Sequence, residues 1–442
     1  MDGQVALGQG SLGKGAFGKG ALVERVRFDA GNDPTGLSVH DIDQDGNLDL
    51  VLGNALGDVM TLHGTGAPGS VVTGEEAGPF NDFARIGREK AIAVGDIDGN
   101  GVDDLIIADQ HSDRVYVQGT DHTFGNELDH GSLVAPGAVE IEDLDGDGNL
   151  DVVVANRGGN HVLVYLGQND GGFATAQSFF TGTSPSALSI RDVNGDFIDF
   201  NDDRLPDVVV ANEGSNDVSV LLSSTHGGEW TLDLGPRLDL RQDSHVAGEA
   251  VFGLAPVDTD VGDFDGDGIL DMLVTNRDSN NLFHISGVGG GFFDDTHPIV
   301  LPTGISPQET LIAEFNGRDG LDIVTVNRGS NDLTFTSGFN TGAPVRSNIS
   351  SGGIGPVDGI AMELNFDGRS DLIIANQEGG GIAVFLGNEN GLSFSNGLLP
   401  GELPHPSALA LAEFGESDEL ALVVIGEADD DPGVFRVQGR EG

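Results

Sequence analysis

Apolar residues fall along this chain in short runs of two kinds. Some are continuous, as in Asp207-Val-Val-Val210 and Asp371-Leu-Ile-Ile374. Others alternate with smaller or polar residues, as in His161-Val-Leu-Val-Tyr165 and Gly381-Ile-Ala-Val-Phe385. Runs of this length, bounded by Gly, Asn and Asp, read as strands. Continuous apolarity predicts a strand covered on both faces, as in a sheet stacked between two others. A half-alternating strand A, such as Ala91–Val94 or Ala187–Ile190, precedes each continuous strand B. An alternating strand C follows, and a Gly/Phe segment such as Phe173 to Phe180 supplies a weaker strand D. No stretch sustains a helical period.

The pattern repeats. Acidic loops between strands A and B start at Asp41, Asp96, Asp143, Asp192, Asp263, Glu314, Glu363 and Glu413, at intervals of about 50 residues, which points to a propeller or solenoid. A proline lies seven residues before the loop in seven of the eight copies: Pro34, Pro136, Pro185, Pro256, Pro307, Pro356 and Pro406. The second copy has Glu89 there. Thirteen residues after the loop start stand Asn54, Asp109, Asn156, Asn276, Asn327 and Asn376, with Asn212 the counterpart after a longer fourth loop. The proline suits a strand entry, where no ladder hydrogen bond is lost. The asparagine suits a hairpin turn that needs a left-handed residue or a side-chain-to-backbone bond.

Four antiparallel strands per unit, repeated radially, predict an all-β fold: a β-propeller of four-stranded blades. The count is eight blades, or seven if the degenerate last unit is irregular. The eighth unit, Ala408 to Val437, lacks a fourth strand, and Leu22–Phe28 is predicted to supply it as a closing clasp. Residues 22–442 then form a single propeller. Residues 1–21 read as a Gly-rich flexible arm with an apolar residue every fifth position, Leu7, Leu12, Phe17 and Leu22.

The loops carry the candidate chemistry. The first reads Asp41, Asp43, Asp45, Asn47, Asp49 at positions 1, 3, 5, 7 and 9. The second offers Asp96, Asp98, Asn100, Val102 and Asp104. The third has Asp143, Asp145, Asp147, Asn149 and Asp151, and the fifth Asp263, Asp265, Asp267, Ile269 and Asp271. Carboxylates at this spacing repel one another unless a hard cation with many oxygen ligands joins them, and Ca²⁺ is the usual one. Side chains at 1, 3, 5 and 9 and the carbonyl of 7 are the expected ligands. The seventh loop keeps Glu363, Asn365, Asp367, Arg369 and Asp371. The fourth offers Asp192, Asn194 and Asp196, with Asp207 as closing ligand after an insert. The sixth, with Arg318 at a ligand position, and the eighth read as metal-free, Arg318 replacing the ion by pairing with a neighbouring carboxylate. Four to six structural Ca²⁺ ions are expected.

Composition removes other chemistries. There is no Cys among 442 residues, hence no disulfide and no thiol catalysis. The net charge is −52, too acidic for nucleic acid or an anionic membrane as partner. No apolar run approaches the roughly 20 residues of a membrane span. The eleven His residues, His40 and His161 among them, show no metal spacing and read as mostly surface positions. No nucleophile elbow or phosphate loop appears, so no enzymatic activity is expected.

The loops, the apolar strand after each and the Gly-rich connections resemble the FG-GAP/VCBS repeats of integrin α-subunit propellers and of many bacterial secreted proteins, over about residues 22–437. That resemblance implies structural Ca²⁺ on one propeller face and a secreted or cell-surface module for binding, adhesion or assembly. A protein or glycan ligand is expected at the channel mouth or at the irregular stretch Ser223–Ala255, which holds Trp230, Arg237, Arg241 and His245. There Trp230 reads as a packing residue. Related propellers include lectins and polysaccharide lyases. A calcium-dependent lectin is therefore one alternative and a lyase-like enzyme another.

Overall fold

A computed structural model describes residues 21–26, 34–40, 49–54, 59–64, 71–73, 92–97, 104–109, 113–118, 124–128, 133–169, 171–190, 198–200, 204–240, 244–246, 249–318, 320–338, 344–364, 367–378, 381–397, 406–413, 420–426 and 434–438. Two compact units divide the chain: Met1–Ile86 with Ala313–Asp319 and Ile349–Gly442, and Gly87–Ile312 with Gly320–Asn348. Among the described residues there are seven four-stranded sheets, each built from strands consecutive in sequence except in the fifth.

In the larger unit the third sheet runs Pro136–Glu142, Asp151–Asn156, His161–Tyr165, Gln177–Phe180, all antiparallel. The fourth runs Pro185–Ser189, Val208–Asn212, Asp217–His226, Glu229–Asp239. The fifth runs Pro256–Gly262, Asp271–Asn276, Asn281–Ile285, Ile299–Pro302, its order skipping the small hairpin Gly287–Gly289/Phe292–Phe293. These are the four-stranded blades that the periodicity predicts.

The continuous apolar strands are covered on both sides. Side chains alternate across a sheet, so a strand with both parities apolar needs two partners. In the strand Asp151–Asn156, Val153 and Ala155 pack with Leu188, Val208 and Val210 of the fourth sheet, whereas Val152 and Val154 pack with Ile106, Val115 and Val117 of the second, which runs Ile92–Gly95, Asp104–Asp109, Arg114–Gln118, Phe124–Leu128. Val209 and Val218 turn to Met272, Val274 and Phe283 of the fifth. Each such Val or Leu, fully buried, contributes roughly 1.5–3 kcal/mol.

The two residues that mark the period in sequence face each other across strands A and B: Pro136 against Asn156, Pro185 against Asn212 and Pro256 against Asn276, with a bulge just after each proline. The asparagine works through its side chain. Asn276 Nδ2 donates to the Val274 carbonyl at 3.1 Å, and Asn212 Nδ2 to Asp217 Oδ1 at 2.9 Å. The left-handed residue is four positions later: Asn160, Asn216, Asn280 and Asn331 have φ of 56 to 58°. Their amide oxygens bind the backbone ahead of the next sheet, Asn160 Oδ1 accepting from Ser184 N–H at 2.9 Å and Asn280 Oδ1 from Ser306 N–H at 2.7 Å.

In the smaller unit the seventh sheet runs Pro356–Met362, Asp371–Asn376, Ile382–Asn388, Gly391–Gly397, and the first runs Pro34–His40, Asp49–Asn54, Val59–Gly64, Val71–Thr73. Pro406–Glu413 and Leu420–Gly426 pair as a hairpin. Ala21–Val26 pairs antiparallel with Val434–Gln438, so the N-terminal segment does join the C-terminal strand as the clasp requires. The arm at 1–20 lies outside the described residues.

Candidate metal centres

In the third and fifth loops one carboxylate organises the turn. Asp143 Oδ1 accepts from Gly146 N–H (2.9 Å) and Asp147 N–H (3.1 Å), and its Oδ2 from Gly148 N–H (2.9 Å). Asp263 binds Gly266, Asp267 and Gly268 in the same way at 2.8, 3.0 and 2.9 Å. Position 6 is left-handed, with φ of 89° at Gly148 and 86° at Gly268, the reason for glycine there. The structure gathers Asp143, Asp145 and Asp151 so that one ligand oxygen from each lies within 4.8 Å of the others, and it does the same with Asp263, Asp265 and Asp267.

The closing aspartate is a buried latch. Asp104, Asp151, Asp207, Asp271 and Asp371 are all at most 3% exposed. In the third loop Asp151 Oδ2 accepts from Leu144 N–H at 2.8 Å and Oδ1 from Gly167 N–H at 2.7 Å. Asp371 repeats this with Leu364 and Gly387, both at 2.8 Å, and Asp271 with Phe264 at 3.2 Å and Gly287 at 2.8 Å. The carboxylate thus ties the loop to the end of strand C. The glycine there is forced by close approach: a Cβ at Gly287 would lie 2.2 Å from the Leu270 carbonyl oxygen.

Burial pushes the Asp151 carboxyl up to about 7, with the charges of Asp145 and Asp143 adding to the rise against two backbone hydrogen bonds. Burial raises Asp371 to about 6, with help from Glu363 and Asp367. Asp145 and Asp265 are raised as well, by burial first and then by the charge of Asp147 and of Asp271 respectively. Crowded, partly desolvated carboxylates raised in this way are relieved by a positive charge, and once deprotonated they are an all-oxygen donor set for a hard divalent cation. The residues fit Ca²⁺.

The fourth loop has a different register from that expected. Phe200 N–H donates to Asp207 Oδ2 at 2.7 Å and Ser223 N–H to Oδ1 at 2.8 Å, the bonds that Leu144 and Gly167 make to Asp151. Arg204 N–H donates to Asp199 Oδ2 at 2.8 Å, as Gly148 does to Asp143, and Arg204 is left-handed at φ 70°. Position 1 is therefore Asp199 and not Asp192, and the insert precedes the loop. Asp192, Asn194, Asp196, Asn201 and Asp203 lie outside the described residues. The spacing Asp199-x-Asn201-x-Asp203 before Asp207 was there to find. An arginine at position 6, where the repeat has glycine, hid it.

The other loops are less complete. In the second, Asp104 Oδ2 accepts from Ile97 N–H at 3.0 Å and Asp96 is half-buried, whereas Asp98, Asn100 and Val102 lie outside the described residues. So do Asp41, Asp43, Asp45 and Asn47, while Asp49 opens its strand opposite His40. In the seventh, Glu363 takes the turn amides of Asp367 (3.2 Å) and Gly368 (2.5 Å). Arg369 bonds Asp367 Oδ2 at 3.3 Å and lies against Gly317; Asn365 is outside the described residues. Arg318 of the sixth loop donates to the Glu389 backbone carbonyl at 2.8 Å instead of pairing with a carboxylate.

One further expectation is corrected. The first half of the stretch Ser223–Ala255 is not irregular: Asp217–His226 and Glu229–Asp239 form a long hairpin. Trp230 is buried there, edge-on to Phe179 at 6.0 Å, and Arg237 pairs with Asp217, while Arg241 lies outside the described residues and His245 sits in the short strand Ser244–Val246. Of the histidines with described side chains, His226 and His297 are exposed and His161 and His284 are buried, His284 with Nε2 3.0 Å from Asp271 Oδ2.

The residues around the third loop decide the family comparison. Residues 143–197 match the FG-GAP-like repeat. That range takes in the third loop, the last three strands of the third sheet and strand A of the fourth. No curated protein sequence matches the chain. Among solved structures, BBS1N in complex with ARL6DN is similar at 15% identity and TM-score 0.49, over 80% of this chain and 94% of that one. A putative 6-phosphogluconolactonase from Bacteroides fragilis NCTC 9343 is similar at 13% identity and TM-score 0.46, over 86% of this chain and 98% of that one. An Agrocybe aegerita lectin that recognises non-reducing terminal N-acetylglucosamine is similar at 17% identity and TM-score 0.42, over 72% and 80%. Among the described residues no helix is long and apolar enough to cross a membrane.

Proposed function

We propose that this chain is a calcium-stabilised, non-enzymatic binding module acting in a secreted or cell-surface adhesion or assembly role. The observation that carries the reading is the convergence of Asp143, Asp145 and Asp151 on one point, with Asp151 buried and tied to strand C. Calcium there supplies charge neutralisation: it joins like-charged groups that otherwise oppose the fold. The protein's own residues set the turn, exclude water from Asp151 and hold the loop against the sheet. Because the site is not formed in the unfolded chain, binding energy becomes folding energy. At a hundredfold excess of Ca²⁺ over Kd each site adds about 2.7 kcal/mol.

Calorimetry of EDTA-stripped protein titrated with Ca²⁺ tests this reading. Four to six bound ions and a large rise in Tm are expected. Weak binding with unchanged Tm would reduce the loops to acidic turns. The binding role itself draws on the FG-GAP-like repeat, and the burial of Trp230 disfavours a sugar-stacking platform at that residue.

A further inference from the structure

In the larger unit a short segment leads into each blade ahead of its proline, and the turn after strand B holds the amide two residues before that proline. In the fourth, fifth and sixth blades the holder is a serine three residues after the asparagine. Thr183 N–H donates to Ser215 Oγ at 2.8 Å, Leu254 N–H to Ser279 Oγ at 2.9 Å and Ile305 N–H to Ser330 Oγ at 2.8 Å. The third blade has Gly159 in the serine's place and uses different groups. Val134 N–H donates to Asn156 Oδ1 at 2.8 Å, Asn156 Nδ2 lies 2.9 Å from His161 Nε2, and His161 Nδ1 lies 2.8 Å from the Gly159 carbonyl oxygen. Asn156 and His161 are buried and face each other across strands B and C. Glycine is part of the arrangement, because a Cβ at Gly159 would lie 2.4 Å from Asn156 Nδ2 and 2.6 Å from His161 Cε1. In the fourth blade the place of His161 belongs to Asp217, whose Oδ1 accepts from Asn212 Nδ2 at 2.9 Å.

This chain of bonds fixes the protons of the ring. The Val134 N–H needs an oxygen, so Asn156 turns Oδ1 to it and its NH₂ to the imidazole, and Nε2 is the bare, accepting nitrogen. The Gly159 carbonyl only accepts, so Nδ1 carries the proton. A second proton, on Nε2, sets donor against donor. Turning the Asn156 amide over offers its oxygen to the imidazolium but puts NH₂ against the Val134 N–H. One bond is lost either way, and the third blade has no serine at position 159 to take the freed amide. We infer that this junction is an acid-sensitive latch: protonation of His161 uncouples the Val134 amide and loosens the entry to the third blade. Imidazole is the side chain that takes up its proton between pH 8 and 5. The charged groups on the elements around it are Asp113 and Arg114 of the second sheet, Arg157 of the turn and Glu213 of the fourth blade. Asp113 Oδ1 accepts from Ala135 N–H at 2.6 Å and Arg157 pairs with Glu213. Among the described residues none of these groups bonds the imidazole; the side chains of Asp109 and His111 lie outside them. The side chain of Val134 is exposed, as are those of Leu254 and Ile305, so backbone bonds hold it in place, whereas the adjoining Leu133 is buried with Ile106 and Val115. Opening is local, since Gly158 N–H keeps the Val134 carbonyl at 2.8 Å.

The test is hydrogen exchange of the full chain from pH 7.5 to 5.5, read by mass spectrometry on peptides covering 133–137 and 182–186 and corrected for the intrinsic rate. Excess Ca²⁺ in every sample keeps the loop carboxylates ligated, so their titration does not enter. Protection at 133–137 should fall roughly tenfold across the range, the effect of one buried hydrogen bond. Protection at 182–186, where Ser215 holds the amide, should stay constant. His161→Asp installs the acceptor of the fourth blade and should keep the latch closed throughout. Nitrogen-15 NMR of the imidazole in the wild-type protein gives a reading that does not depend on the folding of a variant: a bare Nε2 with Nδ1–H at pH 7.5, and the imidazolium where protection at 133–137 is lost. An equal pH response of the two segments, an Nε2–H tautomer at pH 7.5, or a response at 133–137 that persists in His161→Asp would overturn the proposal.

Discussion

Removing calcium should make this protein less stable as pH rises from 4 to 7, and Asp151 is where the effect is largest. Asp151 is 1% exposed, and burial pushes its carboxyl up to about 7 from the ordinary 3.8. Between those values the folded state holds a proton that the unfolded chain has lost. The contribution is therefore fully present below pH ~4 and is lost as pH climbs through 7. A shift of about three units amounts to about 4 kcal/mol. Asp371, raised to about 6, adds a smaller loss over the lower part of the same window. Calcium reverses the sign, because the ligand form is the carboxylate and binding expels the proton. The assay is denaturant unfolding from pH 4 to 8 in EDTA and in excess Ca²⁺, for wild type and Asp151→Asn. High salt in all samples suppresses the repulsion of the −52 net charge, which has the same sign. Wild type in EDTA should lose stability over the window relative to Asp151→Asn, and with Ca²⁺ it should gain. Parallel curves for the two proteins in EDTA would refute the titration of Asp151 and with it the argument that the empty loop is strained by desolvated charge.

Other consequences can be checked separately. Asp199→Ala should reduce calcium stoichiometry by one while Asp192→Ala leaves it unchanged, read by titration calorimetry; the reverse result would restore the earlier register of the fourth loop. Gly287→Ala should destabilise by roughly 2 kcal/mol or more, because its Cβ would meet the Leu270 carbonyl oxygen at 2.2 Å and the Ile269 side chain at 2.8 Å, and urea unfolding would show it. Trp230→Ala should cost about 3–5 kcal/mol as a large core truncation, read by urea unfolding.

Much of this architecture could be read along the chain. Period, proline and asparagine spacing and double-sided apolar strands are local properties, and each states its own environment: Val152 to Val154 can lie only where both faces of a strand are covered. The order of blades and the chemistry of the loops follow from repetition, since eight copies average out the noise of any one. What the chain could not state were properties set by partners far away in sequence. The burial of Asp151 comes from strand C, sixteen residues on, and that burial turns a plain loop aspartate into a latch with a raised pKa. The sequence pattern starts the fourth loop at Asp192, and the bond from the Phe200 amide to the Asp207 carboxylate moves it to Asp199, because only hydrogen bonding to a buried group distinguishes two acidic stretches of similar spacing. The exposure of Val134, Leu254 and Ile305 was invisible for the same reason: an aliphatic residue is in the core or on the surface according to what packs over it, and that is decided by the neighbouring sheets.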